Sequence, residues 1–348
     1  MNASRWLILL ILGALPAWGQ EEGFAGLGTD VEGFALPDPA RALTFPRDHG
    51  AHEDFRIEWW YLTANLRGAD GRDYGAQWTL FRSALSPDGT GEGWSVPQVW
   101  MAHAAVTTPD SHHLAERFAR GGIGQAGVSA EPFAAWIDDW SMRAPEGADG
   151  LGRLSIAARG GDFAYALTAE ADGPLVLHGQ GGYSVKGPGG QASHYYSQPF
   201  YRVAGSLTLP EGTVEVSGLA WLDREWSSQP LDRSQSGWDW FSFHLDDGRK
   251  LMVARVRGTE PYLFGSLIDA DGGVRTLGGD DITLRPGRGT PPVSWSVDLP
   301  GEGLALTVEA VNPRSAMTTS VPYWEGPVRV GGTVNGRGYL EMTGYPVE

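Results

Sequence analysis

The chain has 348 residues, enough for two domains or one large β unit, and 26 Lys plus Arg against 42 Asp plus Glu give it a formal charge of −16. Like charge repels nucleic-acid backbones and anionic bilayers, so neither is expected as a partner. The 41% hydrophobic content and 15 tryptophans exclude a disordered chain. Zero cysteines exclude disulfides, thiolate nucleophiles, Fe–S clusters and lipoprotein acylation.

Residues 1–19 read as a signal peptide. Arg5 precedes an apolar run from Trp6 to Leu12 that is too short to cross a bilayer, and Ala17-Trp18-Gly19 offers a small-residue cleavage site before Gln20. A retained anchor is the alternative; cleavage would leave a secreted or periplasmic chain without stable membrane insertion. Residues 20–43, with Pro37 and Pro39, read as a linker or extended arm. Beyond Phe45, segments such as Thr213 to Ser217 and Leu304 to Glu309 alternate apolar with polar residues, the period of a half-buried strand. Asp70-Gly71, Asp88-Gly89, Asp172-Gly173, Asp247-Gly248 and Asp271-Gly272 supply hairpin turns. A short helical turn is expected only around Ala130 to Trp140. The class is all-β and antiparallel.

Two passages recur in order, which points to internal duplication. Trp59-Trp60-Tyr61-Leu62 resembles Trp238-Asp239-Trp240-Phe241, and Tyr195-Tyr196-Ser197-Gln198-Pro199 resembles Tyr323-Trp324-Glu325-Gly326-Pro327. Val214 to Gly218 is then matched with Leu340 to Gly344. The expected domains are 44–217 and 218–348, each a barrel or part of a sandwich. Aromatic side chains inside such a barrel would line a cavity for an apolar small molecule; the plainer alternative is that they fill the core.

Three groups of side chains could carry chemistry. Alternation puts Glu58 and Trp60 on one face of a strand and Trp59 and Tyr61 on the other; Glu58 is either a desolvated general acid or the partner of a buried arginine such as Arg82. Asp223 and Glu225 share a strand face and could divide acid and base roles, or else belong to a hydrogen-bonded turn. His194, beside Tyr195, and His103 are single histidines in apolar strands. His49 and His52 have ligand-like spacing, but Gly50 between them argues against a helix, and no metal is expected. Motifs for a serine esterase, a nucleotide enzyme, a zinc protease or a dinucleotide fold are absent from the sequence.

Phe45-Pro46-Arg47-Asp48-His49, Glu58-Trp59-Trp60-Tyr61, Trp221-Leu222-Asp223-Arg224-Glu225-Trp226, Gly237-Trp238-Asp239-Trp240-Phe241 and Gly338 to Tyr345 resemble the AttH/CrtC-type family, which includes carotenoid 1,2-hydratases. The resemblance implies two lipocalin-like β-barrel domains and, for the hydratases, cofactor-free addition of water to a terminal double bond. It would make Asp223 or Glu225 the acid, Glu58 and His194 the water-positioning groups, and Trp60, Tyr195, Trp226, Trp238 and Trp240 the ligand walls. Arg224 stands where many relatives are expected to carry histidine. The expected activity is hydration or hydrolysis of an apolar, lipid- or isoprenoid-like molecule; the alternative is a carrier or periplasmic accessory protein that serves a transporter.

Overall fold

The computed structural model describes residues 32–89, 91–148 and 150–346; the expected signal segment lies outside them. In chain order the strands are β1 (Ile57–Gly68), β2 (Asp73–Ala84), β3 (Gln98–Thr107), β4 (His112–Arg120), β5 (Ala126–Ala130), β6 (Phe133–Ile137), β7 (Trp140–Arg143), β8 (Arg153–Arg159), β9 (Ala164–Ala171), β10 (Val176–Leu177), β11 (Tyr183–Val185), β12 (Ala192–Leu209), β13 (Gly212–Ser227), β14 (Gln235–Leu245), β15 (Lys250–Gly258), β16 (Tyr262–Ile268), β17 (Val274–Leu277), β18 (Thr283–Pro286), β19 (Ser294–Leu299), β20 (Leu304–Ala310), β21 (Ala316–Met317), β22 (Tyr323–Gly332) and β23 (Gly336–Thr343). Short 3-10 turns are the only helical elements among the described residues, and no helix there is long and apolar enough to cross a membrane. The helical turn expected near Ala130 is replaced by β6 and β7, whose buried Phe133, Ile137 and Trp140 alternate with more exposed neighbours.

The strands form two barrel-like antiparallel sheets, one nearly closed and one a half-barrel, as expected of two lipocalin-like domains. The first runs β4-β3-β2-β1-β13-β12-β9-β8-β7-β6-β5 and the second β17-β16-β15-β14-β23-β22-β20-β19-β18. Up to β8 and β19 the two orders match strand for strand. Their first hairpins turn on the same pair, Asp70-Gly71 and Asp247-Gly248, with Gly71 at φ 81° and Gly248 at φ 94°, a region that disfavours a side chain. The boundary expected at 217/218 falls inside β13, which pairs with β1 from Val216 to Ser227. The chain passes to the second sheet between Ser227 and Gln235. Residues 32–43 lie along the first domain, where Ala35 N donates to Asp54 O at 2.9 Å.

Alternation along each strand sorts the aromatic residues. Trp60, Leu62, Trp78, Leu80 and Trp226 fill the first barrel, and Phe241, Phe243, Trp295 and Leu340 fill the second. These rings therefore belong to packed barrel cores, and none of them lines the cavity described below. The opposite faces carry Tyr61, Tyr195, Trp221, Trp240, Met252 and Tyr339, which pack together and join the domains.

Glu58 belongs to the first core. Burial alone would raise its pKa, but the Arg82 and Arg224 guanidiniums, both bonded to its carboxylate, and His52 hold it well below the usual carboxylate range. Of the two expectations for Glu58, the buried arginine partner is the one found: Arg82 holds it, with Arg224 as a second, and the carboxylate is fixed in its ionised form. Glu58→Ala leaves two buried guanidiniums without their counter-charge and should cost about 3–5 kcal/mol of stability in urea unfolding at pH 7. A loss below about 1 kcal/mol, the level of a surface pair, would contradict this assignment.

Candidate functional site

The faces that meet between the domains leave a cavity of about 330 Å³. Its walls are Trp59 and Tyr61 of β1, Tyr195 of β12, Trp238 and Trp240 of β14 and Phe264 of β16, with Phe81, Met101 and Phe118 toward β4. Pro230 and Leu231, in the segment that joins β13 to β14, complete one side. Three carboxyl groups also line it: Asp223 and Glu225 on β13, and Glu341 on β23.

Asp223 is 3% exposed and meets only uncharged donors. Tyr195 Oη donates to Oδ2 at 2.8 Å, Trp221 Nε1 donates to Oδ1 at 2.6 Å, and Ser197 Oγ also donates to Oδ1. Behind Ser197, His178 Nε2 lies 2.6 Å from its hydroxyl, and His178 Nδ1 lies 2.9 Å from Ser266 Oγ of the second domain. Burial pushes the Asp223 pKa up to about 7 against those hydrogen bonds, so the group exchanges its proton near neutrality. Burial also holds His178 well below the usual imidazole range, so it is neutral.

Glu341 faces the same space. Trp238 Nε1 donates to its Oε1 at 2.9 Å. Burial pushes its pKa up to about 7, opposed by that bond and helped by the charges of Asp223 and Glu225. Its cross-strand neighbour Glu325 is raised well above the usual range by burial and by Glu341, and accepts from Tyr61 Oη. Tyr323 Oη, beside Glu325, lies 3.0 Å from His103 Nδ1, whose Nε2 reaches Glu116 at 3.1 Å. Glu225 differs from the other two, because Lys186 Nζ lies 2.9 Å from its Oε1 and Ser193 Oγ donates to the same atom.

The strand registers make Asp223 and Glu341 equivalent. Asp223 stands opposite Ser197 and Tyr61, and Glu341 opposite Glu325 and Trp240. The matching of Tyr195 to Pro199 with Tyr323 to Pro327 therefore agrees with the pairing. The matching of Val214 to Gly218 with Leu340 to Gly344 does not; the true counterpart of Tyr339-Leu340-Glu341 is Trp221-Leu222-Asp223. An aromatic residue, leucine and an acid recur there in the same order, a signal that would have identified Glu341. Lys186 carries no such signal, because it lies in the glycine-rich turn after β11.

Of the residues expected at the site, Asp223, Glu225, Tyr195, Trp238 and Trp240 line the cavity. Glu58, His194, Trp60 and Trp226 do not, because each falls on the face of its strand that turns into the first barrel. His194 Nε2 accepts from Asp38 N at 3.4 Å, and burial with the Arg41 charge nearby lowers its pKa to about 4. Arg224 lies on that face as well, its guanidinium 3.8 Å from the centre of the Trp60 ring. His49 and His52 are held by Tyr196 Oη at 2.7 Å and by Glu58 and Asp48 at 3.1 and 3.3 Å. Among the described residues, no group of three or more His, Asp or Glu could hold a metal ion.

The sequence profile of the AttH-like family matches residues 36–345. No curated protein matches the sequence. Among solved structures, a candidate AttH protein from Nitrosomonas europaea is 35% identical, covers 90% of this chain and 100% of its own, and superposes with a TM-score of 0.78. Kievitone hydratase from Nectria haematococca shares the fold at 14% identity, with 90% of this chain and 98% of its own covered and a TM-score of 0.62. With a profile match that spans both domains, this chain belongs to the AttH-like family.

Proposed function

We propose that this protein is an enzyme that adds water across a carbon–carbon double bond, or removes water to form one, in an apolar, isoprenoid-like small molecule held between the two domains. The observation that carries this reading is the pair Asp223 and Glu341: equivalent in the two halves, facing one aromatic cavity, and hydrogen-bonded only to uncharged groups. Two such carboxyls near each other do not both ionise cheaply, so around pH 7 one holds a proton while the other is a base.

In the forward direction the Asp223 carboxyl gives its proton to one alkene carbon, and the π electrons form the new C–H bond. The cation left on the other carbon lies among the faces of Trp59, Trp238 and Trp240. The oxygen of a water molecule attacks it, and the Glu341 carboxylate takes the proton released. Return of that proton to Asp223 completes the addition. The same pair could serve hydrolysis of an acid-labile bond; the name of the kievitone hydratase that shares the fold supports hydration. Residues 1–19 support a secreted or periplasmic location. A carrier, with or without a transporter as partner, would use the cavity and leave the carboxyls without a task.

Incubated with acyclic isoprenoid alkenes and with their alcohol and ketone derivatives in ¹⁸O-water, the wild-type protein should yield a product heavier by one labelled water. Asp223→Asn and Glu341→Gln should slow this at least about a hundredfold and keep ligand affinity within about threefold. Binding with no turnover by the wild type would support the carrier instead.

A second outcome needs no substrate. The folded state raises the Asp223 pKa from 3.8 to about 7, so ionisation favours the unfolded chain and stability falls as pH rises across that window. Asp223→Asn escapes this loss. It should be more stable than wild type at pH 8, by about 1–4 kcal/mol in denaturant unfolding, and should lose that advantage below about pH 4. A difference that does not change with pH would mean that Asp223 ionises freely.

A further inference from the structure

Lys186 is the one lysine or arginine among the described residues that line the cavity. It follows β11, whose pairing with β12 ends at Val185 and Ala192. Its backbone is tied at both groups: its N–H donates to Gln191 O at 2.6 Å, and Gln235 Nε2 donates to its carbonyl at 3.4 Å. The side chain is 7% exposed. Its ammonium meets Glu225 Oε1 at 2.9 Å and otherwise faces two aromatic rings, Tyr195 at 4.4 Å and Phe264 of the other domain at 4.3 Å.

An ammonium has three N–H donors. Glu225 takes one, and ring faces are weak acceptors for the rest. A wholly apolar ligand packed against this group would cover those donors without replacing the water they can otherwise reach, which disfavours it. A ligand oxygen would accept from them and gain a charge-assisted hydrogen bond. Tyr195 fixes where that oxygen lies relative to the acid, since Lys186 sits over its ring and Asp223 binds its hydroxyl.

We infer that Lys186 selects ligands with a hydrogen-bond-accepting oxygen, a carbonyl or phenolate on an otherwise apolar body, and that a bare hydrocarbon is not the natural substrate. This rests on reading the cavity as the site for an apolar substrate and adds the anchoring group. Glu225, as the partner of Lys186, then has the task of holding the ammonium rather than exchanging a proton with substrate. The oxygen held by Lys186 decides which carbon of the ligand comes to Asp223.

The test compares 2-acetylnaphthalene with 2-ethylnaphthalene, which share a ring system and differ by a carbonyl in place of a methylene. Binding to the full chain is read from quenching of tryptophan fluorescence. The wild type should bind the ketone about tenfold more tightly. The double variant Lys186→Met/Glu225→Gln, which removes both charges together, should bind the two alike or favour the hydrocarbon. Equal wild-type affinities would overturn the inference and leave the apolar cavity intact; so would a ketone preference that survives in the double variant. If neither compound binds, the reading of the cavity falls together with the inference. Should the double variant not fold, Lys186→Met alone is read in its place by the same criterion, and equal wild-type affinities still overturn the inference.

Discussion

The cost of keeping an acid out of water without a cation shapes the centre of this molecule. Asp223 is buried and Glu341 half-buried, and the groups that hydrogen-bond them are hydroxyl and indole donors, which stabilise a carboxylate less than a guanidinium does. Each therefore keeps its proton to near neutral pH. Glu58 shows the other outcome on β1, the neighbour of β13: buried like Asp223, but bonded to Arg82 and Arg224, it stays ionised. Between Asp223 and Glu58, which are both buried, the charge of the neighbours sets which carboxyl is raised and which is held ionised.

Duplication explains how two such acids come to share one space. Each half builds the same succession of strands and leaves one aromatic face uncovered by its own core. When those faces meet, equivalent positions face a common cavity, so the acid of one half acquires the acid of the other as its neighbour. The halves have diverged around this pair. Where the first has Ser197 behind Asp223, the second has Glu325 beside Glu341, so the two acids are equivalent in position and differ in surroundings.

Much of the fold was legible because strand alternation is a local property. Asp70-Gly71, Asp247-Gly248 and Asp271-Gly272 do turn hairpins, whereas Asp88-Gly89 lies in the longer connection from β2 to β3 and Asp172-Gly173 joins β9 to β10, which pair with β12 and not with each other. The separation of Glu58 and Trp60 from Trp59 and Tyr61 follows from a period of two. Asp223 and Glu225 could be placed on a shared face for the same reason. What alternation does not fix is which face looks inward, so Trp60, Trp226, Glu58 and His194 were expected beside the ligand although they fill the first barrel. The partner of Glu58 also depends on strand pairing: Arg82 comes from the adjacent hairpin strand, whereas Arg224 comes from a strand more than 150 residues away in sequence. Lys186 was illegible because nothing in a glycine-rich turn indicates where a flexible side chain will end.

Pro230 and Leu231 give the interdomain connection a double duty: it is both tether and wall. Lengthening or shortening that loop would reshape the aperture while every acid remained on its strand. A few residues of linker can thus vary the space between the domains while the carboxyls stay where the strands hold them.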